Sequence, residues 1–218
     1  MFYRFINDYL YGKLLVPDNK GEHEMTNIII LVIISYLIGA IPFSLLIGKI
    51  FYKVDIREHG SGNVGTTNTF RILGKKAGIM VLVLDILKGA LPVYIAMLMA
   101  VDMHIFIPGL ISAIGHVYPV FLKFRGGKAV ATGSGAVLAY NPIVFIILVS
   151  AFLITLKLSK YVSLSSIVAA LTFIGVSLLL QDPLIIAFAV ILGVVIIIRH
   201  ISNIKRIING TESRITFM

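Results

Sequence analysis

Between residues 57 and 71 the chain combines glycines, neutral hydrogen-bond donors and cationic side chains, a mixture that suits an anionic ligand. Glycine lets backbone amides approach a ligand closely, and an arginine guanidinium binds a phosphate or carboxylate through two parallel hydrogen bonds. A solvated connector with glycines at its turns is the alternative interpretation. The candidate residues of this first segment are Ser61, Gly62, Asn63, Thr67, Asn68 and Arg71.

A second segment, residues 115–135, carries Gly126-Gly127-Lys128 directly before a run of small and apolar residues. If that run is helical, free backbone N–H groups at its N-terminus would join the lysine ammonium in holding an anion. This is not a Walker A loop, because Leu122 and Ala129 stand where that motif needs glycine and Ser or Thr. A basic loop beside a closely packed short helix is the alternative. The candidates are His116, Arg125, Gly126, Gly127, Lys128 and Thr132.

A third segment, residues 199–212, follows the last apolar run. His200 and Asn203 are three residues apart and would share one face of a helix, with Lys205 near its C-terminal end. A basic cluster that only sets orientation in the membrane is the alternative. Ser166, near the start of the sixth apolar run, is a further candidate contact, for which helix capping is the alternative.

Several catalytic chemistries lack their residues in this sequence. The chain has no cysteine, which removes thiol nucleophiles, disulfides and thiolate metal sites. It has no Gly-x-Ser-x-Gly motif and no histidine followed five positions later by aspartate, a spacing that supplies the acid–base pair of many acyltransferases. The spacing of the histidines does not suit a metal site. An enzyme with this sequence would work by positioning and anion stabilisation, with no metal and no cofactor.

The elements that position these segments must lie in a membrane. Of the 218 residues, 58% are hydrophobic and 13% are charged, and the mean hydropathy is +1.00. This composition excludes a secreted disulfide scaffold, a disordered tail protein and a soluble nucleic-acid-binding protein. The 19 Lys and Arg residues outnumber the 10 Asp and Glu residues, so the basic surface should face anionic lipid or an anionic ligand. The sequence predicts an all-α integral membrane protein.

About seven apolar runs are predicted to cross the membrane as helices, each of which needs about 20 residues. The third and fourth runs are short and would be tilted or partial helices inside the bundle. Asn141-Pro142 and Gln181-Asp182-Pro183 separate neighbouring runs. The runs are residues 28–52, 77–101, 105–118, 129–140, 143–158, 164–180 and 184–198.

The basic residues predict the orientation, because cytoplasmic loops carry the excess of Lys and Arg. The connectors after the first, third and fifth runs and the C-terminal tail are basic, whereas the connectors around Asp102, Asn141 and Asp182 contain no Lys or Arg. The N-terminus is therefore expected outside, and the C-terminus and all three candidate segments at the cytoplasmic surface. A six-span arrangement is the alternative, and it would break this alternation.

Residues 1–24 do not fit this order, and they are predicted to be an N-terminal extension of a single membrane domain at residues 25–218. Apolar residues between Phe2 and Leu10 could form one face of a short interfacial helix, and residues 17–22 have the composition of a linker. The alternative is that Met25 is the natural start, because the codons of Gly21-Glu22 can contain a bacterial ribosome-binding site. The extension would then be absent from the native protein.

One charged pair lies inside the second run, where Asp85 and Lys88 are three residues apart and can pair on one helical face. Charges inside a membrane are costly and usually functional. A self-satisfied pair can also serve packing alone, so both interpretations stay open.

Together these segments closely resemble the bacterial membrane glycerol-3-phosphate acyltransferases that use acyl-phosphate as donor. Gly39-Ala40-Ile41-Pro42-Phe43 and Asp85-x-x-Lys88-Gly89 are similar to the family as well. The resemblance covers residues 25–212 in order and departs at Thr66, Arg125 and Ala129, where the family usually has Ala, Lys and Gly. The matching motifs are Ser61-Gly62-Asn63-x-Gly65-x-Thr67-Asn68-x-x-Arg71, Gly115-His116-x-x-Pro119-x-Phe121-Leu122-x-Phe124-Arg125-Gly126-Gly127-Lys128 and His200-x-x-Asn203-Ile204-x-Arg206 with Gly210-x-Glu212.

The resemblance implies transfer of a fatty acyl group from acyl-phosphate to the 1-hydroxyl of glycerol 3-phosphate, which gives 1-acylglycerol 3-phosphate (lysophosphatidic acid) and phosphate in phospholipid biosynthesis. It implies a multi-pass protein of the bacterial cytoplasmic membrane with its active site on the cytoplasmic side. The protein would be a monomer without a nucleic-acid partner, functionally coupled to the enzyme that makes acyl-phosphate. The competing class is a membrane transporter or binding protein for a phosphorylated anion, which would have two similar halves.

The resemblance also implies roles for the matching residues. Residues 125–128 with Thr132 would hold one phosphate, the first segment would arrange the other phosphate and the reacting carbonyl, and His200 and Asn203 would orient the attacking hydroxyl. An oxygen of the acyl-phosphate would take the proton, with His200 as the rival acceptor. The implied catalytic residues are Ser61, Asn68, Arg71, His200 and Asn203, and the implied binding residues are Gly62, Asn63, Thr67, His116, Arg125, Gly126, Gly127, Lys128, Thr132, Ser166 and Lys205.

Overall fold

The computed structural model describes residues 20–215, with side chains from residue 24 onward. This part of the chain is helical, and no strand occurs in it. A π-helix (Gly48–Tyr52) and two 3-10 turns (Ile56–Glu58 and Val120–Leu122) lie in the connectors. The α-helices are α1 (Lys20–Ala40), α2 (Phe43–Ile47), α3 (Thr66–Met99), α4 (Phe106–Val117), α5 (Val130–Tyr140), α6 (Pro142–Ser159), α7 (Val162–Leu180), α8 (Pro183–Arg199) and α9 (Ile201–Ile208).

Helices long and apolar enough to cross a membrane confirm the predicted all-α membrane architecture. Three single helices, α3, α6 and α7, meet this requirement. A bend of 45° joins α1 to the segment of α2 and the π-helix, and a bend of 53° joins α8 to α9, so the described residues hold up to five spans if each bent pair is one span. The apolar helices α4 and α5 are shorter. Every expected run is thus helical, while the count of seven spans stays a prediction.

The first run departs from its expected boundaries. Residues 20–22, expected in a linker, are the start of α1, which continues through Met25. The run is also bent, because Pro42 has no N–H to donate and α1 ends at Ala40. The interfacial helix predicted between Phe2 and Leu10 lies outside the described residues.

A backbone break at Gly74 divides α3 into two helical parts. Gly74 has φ 84° and ψ −176°, a left-handed conformation that favours glycine. The apolar part after Gly74 corresponds to the second expected run, but the part before it, expected as a loop, is an additional helical segment. A Cβ on Gly78 would lie 2.3 Å from the ring of Phe70, so this segment turns back over the apolar part.

Glycines allow the helices to pack at backbone distance, as membrane helices commonly do. A Cβ on Gly89 would lie 1.8 Å from the carbonyl oxygen of Thr132, and one on Gly135 would lie 1.9 Å from that of Ile86. Both contacts hold α3 against α5. The position of α5, which follows the second segment, is therefore fixed by α3.

Replacement of Gly135 by alanine is expected to lower the free energy of unfolding by about 1–3 kcal/mol, because the added methyl group must push α3 and α5 apart. Gly175→Ala in α7 is the matched control, since its Cβ would meet no atom within 4 Å. Alanine should favour that helix by about 1 kcal/mol. Thermal unfolding of both variants in one detergent checks the expectation. Equal stability of the two would contradict the close contact of α3 and α5.

The two ends of the bundle differ in charge. At one end Glu24 Oε1 accepts a hydrogen bond from Asp102 N at 3.2 Å, and His104 Nε2 lies 3.7 Å from Asp182 Oδ2. At the other end the connector between α4 and α5 meets the end of α8 through Arg199. Buried apolar residues of the first and second segments also pack together there, so all three candidate segments lie at this second end.

Candidate active site

The first segment is folded around the buried amide of Asn68, which is 1% exposed. Its Oδ1 accepts a hydrogen bond from Ser61 N at 3.0 Å, and its Nδ2 donates to the carbonyl oxygens of Ile56 and His59, both at 3.1 Å. Both amide hydrogens are therefore used within the protein. This geometry gives Asn68 the position of a residue that shapes the turn and presents Ser61.

The other candidates of the first segment are accessible to a ligand. Gly62 has φ 68°, which only glycine adopts readily, and this turn leads the chain toward α3. The side chain of Asn63 is half-buried. The exposed members are Ser61, Gly62, Thr67 and Arg71.

The backbone amides of the glycine pair are bonded within the protein, while the free N–H groups expected at the N-terminus of α5 stay a prediction. Gly126 N donates to Val117 O and Gly127 N donates to His116 O, both at 3.0 Å. These bonds satisfy carbonyls at the C-terminal end of α4, which a helix leaves without partners. The guanidinium of Arg199 then holds the carbonyl oxygens of Gly126 and Gly127 at 2.8 and 3.1 Å. The loop is thus fixed on both sides of its backbone.

The N-terminus of α5 carries two unusual features beside this loop. Ala129 has φ 59° and ψ 8°, a left-handed conformation that costs a residue with a side chain about 1 kcal/mol. This is one of the positions where the resembled family usually has glycine. In the first turn of α5, the hydroxyl of Thr132 is buried and has no hydrogen-bond partner within the described residues. Such a hydroxyl is rare in folded proteins and suits a ligand-binding position.

A chain of hydrogen bonds joins the second segment to the third. Lys128 Nζ donates to Asn203 Oδ1. Asn203 Nδ2 donates to Glu212 Oε1 at 2.6 Å, and Ser163 Oγ donates to the same oxygen at 2.9 Å. Arg206 Nε donates to Glu212 Oε2 at 2.7 Å. Glu212 therefore holds residues of α7 and α9 in place. Asn203 in turn fixes the position of the Lys128 ammonium.

Positive charge is concentrated around Lys128. Burial is the main cause that lowers the pKa of Lys128 to about 8; Glu212 opposes it, and Arg206, Arg199 and Arg71 add to it. Hydrogen bonds from Asn203 and Arg206 keep the pKa of Glu212 below its ordinary value despite partial burial. The site thus combines four cations with the carboxylate of Glu212. A phosphate placed there would offset part of the excess positive charge.

Lys128 should make the affinity for a phosphate substrate depend on pH. Its pKa of about 8 means that the ammonium is charged below pH 8 and is lost as the pH rises through that value. We expect KM for the phosphate substrate to rise as the pH increases from about 7 to about 9. Lys128→Arg keeps its charge over this range and should flatten the dependence. Steady-state kinetics across this range check it, and parallel pH profiles for both proteins would contradict the role of Lys128.

His200, 3% exposed, lies between α8 and α9. Its Nδ1 is 2.8 Å from Ile196 O. A carbonyl oxygen only accepts hydrogen bonds, so Nδ1 carries the proton and the neutral ring keeps the lone pair of Nε2. Nε2 is therefore the nitrogen that can accept a proton or a hydroxyl hydrogen bond.

Burial and hydrogen bonds differ among four further candidate residues, which are His116, Ser166, Arg125 and Lys205. The ring of His116 is buried behind the loop, where a Cβ on Gly127 would lie 2.0 Å from Nε2, so it supports the loop from inside. Ser166 is 3% exposed, and its Oγ donates to Val162 O at 2.9 Å. Arg125 and Lys205 are exposed to solvent. A direct contact of these four side chains with a ligand stays a prediction.

Sequence reasoning missed residues that order the site. Arg199 was one of the basic residues that predicted the orientation, and Ser163 was not among the candidates. Arg206 and Glu212 stood in the third matching motif without an assigned role, although Glu212 is the single acidic residue among the basic ones of residues 199–214. The partners of Glu212 are set by the bend between α8 and α9, which no sequence pattern reveals.

An apolar cleft of about 390 Å³ opens beside the bend of α1. A separate narrow pocket shares Ile41, Pro42 and Leu122 with its lining and also borders Val64 and His116. The cleft therefore lies near the first and second segments. Its lining residues are Ile41, Pro42, Leu45, Leu46, Phe121 and Leu122.

This chain matches known relatives over almost the whole length of those relatives. A glycerol-3-phosphate acyltransferase of Geobacillus kaustophilus is 51% identical over 192 residues, which are 88% of this chain and 96% of the relative. A glycerol-3-phosphate acyltransferase of Staphylococcus aureus is 48% identical over 200 residues, with 88% and 99% covered.

Solved structures agree with these relatives. The crystal structure of PlsY, an integral membrane glycerol 3-phosphate acyltransferase, in its glycerol 3-phosphate form has a TM-score of 0.82 and 41% identity, covering 86% of this chain and 95% of that chain. Its lysophosphatidic acid form has a TM-score of 0.79 and 40% identity, with the same coverage. The family model for glycerol-3-phosphate acyltransferase matches residues 29–210. The chain therefore belongs to the glycerol-3-phosphate acyltransferase family.

Proposed function

We propose that this membrane protein acylates glycerol 3-phosphate for phospholipid synthesis with an acyl-phosphate as donor. The 1-hydroxyl oxygen of glycerol 3-phosphate attacks the acyl carbonyl carbon, the bond from that carbon to the phosphate oxygen breaks, and the hydroxyl proton passes to the phosphate. The products are 1-acylglycerol 3-phosphate and inorganic phosphate. Phosphate is a good leaving group, so no enzyme nucleophile is needed.

One observation carries the proposal within the family: Lys128, with Arg71, Arg199 and Arg206 near it, also lies near His200, whose neutral ring keeps the lone pair of Nε2. Two phosphorylated substrates require such an excess of positive charge. We assign one phosphate to Arg125, Lys128 and Thr132, with Gly126 and Gly127 as the residues that shape the loop. We assign the other phosphate and the reacting carbonyl to Ser61, Gly62, Asn63, Thr67 and Arg71. Asn68 positions Ser61.

The acyl chain is assigned to the apolar cleft beside the bend of α1. Its volume of about 390 Å³ and its apolar lining suit part of a fatty chain. A second, narrow pocket shares part of this lining and borders Val64 of the first segment and His116 of the second. We therefore place the carbonyl end of the donor near these two segments.

The arrangement in the membrane is proposed as seven spans with the N-terminus outside and the C-terminus in the cytoplasm. In this arrangement α4 and α5 are short spans held inside the bundle, and each bent pair is one span. The acidic connectors that meet at one end and the basic segments that meet at the other support it. The active site would then open to the cytoplasm of a bacterial cell, to both soluble substrate and membrane.

The test is an assay of the purified chain in detergent with acyl-phosphate and labelled glycerol 3-phosphate. We expect labelled lysophosphatidic acid and one phosphate released per product. Acyl transfer from another activated donor alone would contradict the acyl-phosphate assignment. Binding of glycerol 3-phosphate without any acylated product would favour a transporter or binding protein for a phosphorylated anion.

Replacement of His200 by alanine tests where the proton goes. If a phosphate oxygen of the donor accepts it, His200 only orients the hydroxyl, and kcat should fall about tenfold. A side-chain general base contributes about 10²–10⁴-fold. Single-turnover rates with His200→Ala measure this directly. A fall of about 10³-fold or more would transfer the role of proton acceptor to His200.

A further inference from the structure

A buried ion pair inside α3 connects the bend of α1 with the second segment. The side chains of Asp85 and Lys88 are 3% and 2% exposed, and Lys88 Nζ lies 2.8 Å from Asp85 Oδ1. Burying two charges is costly, and pairing them with each other offsets only part of that cost. The other groups that the pair contacts indicate what it does.

Lys88 fixes the bend of α1. Its Nζ donates to Ile41 O at 3.0 Å, and it lies 5.6 Å from the centre of the Phe43 ring. The Lys88 carbonyl oxygen in turn accepts a hydrogen bond from Ser112 Oγ of α4 at 2.7 Å. Lys88 therefore joins three elements, α1, α3 and α4, at the level of Pro42.

Asp85 lies beside His116, the side chain that supports the anion-binding loop. Its Oδ1 lies 3.9 Å from His116 Nδ1, and the side chain of His116 is only 8% exposed. The opposite edge of that ring, Nε2, occupies the space into which a Cβ of Gly127 would project. The next residue after Gly127 is Lys128. A continuous chain of contacts therefore runs from Asp85 through His116 and Gly127 to the cation that binds phosphate.

We propose that Asp85 is a positioning residue for the acyl transfer: held in place by Lys88, it sets the ring of His116 and through it the loop that carries Lys128. This inference rests on the proposed function of that loop as a phosphate site. In this role Asp85 and Lys88 act through His116 and the loop, and not by contact with the reacting atoms. Their removal therefore acts on substrate affinity through the loop.

Three variants separate positioning from a role in packing alone. Asp85→Asn removes the carboxylate charge beside His116 and leaves Lys88 unpaired. The double variant Asp85→Leu/Lys88→Met replaces both charges by apolar side chains of similar volume, a change that commonly restores stability. His116→Ala removes the intermediate ring, and His116→Ala/Asp85→Asn closes a double-mutant cycle. The readouts are the affinity for glycerol 3-phosphate by calorimetry, kcat and KM, and the thermal unfolding temperature.

We expect Asp85→Asn to weaken glycerol 3-phosphate binding about tenfold and to change kcat much less. The double variant Asp85→Leu/Lys88→Met should recover the unfolding temperature of the wild type but keep the weakened binding. Asp85→Asn should add little to His116→Ala, because both interrupt the same contacts.

Recovery of both stability and affinity in Asp85→Leu/Lys88→Met would overturn the proposal, since the pair would then serve packing alone. Additive losses in the cycle of Asp85 and His116 would overturn it as well. The calorimetry also separates this inference from the proposed function. A wild-type protein that binds glycerol 3-phosphate but forms no acylated product refutes the function, while the affinities of the variants still decide the role of Asp85.

Discussion

Replacement of Lys128 by methionine is expected to lower kcat/KM about 100-fold when glycerol 3-phosphate is subsaturating. Methionine keeps most of the side-chain volume and removes the charge, so the loss reports the ammonium. The partly buried ammonium binds an oxyanion more strongly than an exposed one does, because less water competes with it. The neighbouring Arg71, Arg199 and Arg206 remain and should retain part of the binding.

Kinetics of Lys128→Met with both substrates varied will measure this effect. Lys157→Met is the matched control, because Lys157 is exposed in the last turn of α6 and belongs to none of the three candidate segments. The control should keep wild-type kcat/KM. Full activity of Lys128→Met at low glycerol 3-phosphate would remove Lys128 from the phosphate site.

Glu212→Ala is expected to abolish nearly all activity and to lower the free energy of unfolding by about 3 kcal/mol. The variant leaves Arg206 without its carboxylate and frees Asn203 and Ser163 from a shared acceptor. Asn203 would then no longer hold Lys128. Lys128 would also lose the carboxylate whose negative charge opposes the repulsion from Arg206, Arg199 and Arg71.

Thermal unfolding and activity of Glu212→Ala are to be compared with those of Glu58→Ala, which removes an exposed carboxylate at the start of the first segment. Glu212→Gln refines the comparison, because it keeps the shape but removes the charge. It should recover part of the stability, since a carbonyl oxygen still accepts from Asn203. A stable and active Glu212→Ala protein would show that the third segment is ordered without this network.

The apolar helices were accessible to sequence reasoning because long apolar runs are visible in the sequence itself. Each apolar run is helical, and proline with asparagine or aspartate at positions 141–142 and 182–183 begins α6 and α8 as expected. The helical part of α3 before Gly74 was not accessible. Its polar residues resemble a loop by composition, and they are held as a helix by the packing of Phe70 on Gly78.

The site was predicted better in its residue types than in its contacts. The motifs correctly gathered Arg71, Lys128, His200 and Asn203 into one region, because their chemistry suits phosphates. Which polar groups face the ligand depends on bonds already made inside the protein. The amides of Gly126 and Gly127 are used by α4, and this follows from the path of the chain at residues 118–125, where Lys123 and Phe124 have positive φ angles.

Those two bonds from the glycine pair to α4 decide whether the motif could be transferred to another protein. The loop folds back on the C-terminal end of α4 and is bonded to its last carbonyls, and the guanidinium of Arg199 binds the other side of the loop backbone. Its shape therefore belongs to three parts of the chain at once. A peptide of residues 115–135 would carry every side chain of the motif and still lack the ordered loop, so the motif could not be transplanted without α4 and the end of α8.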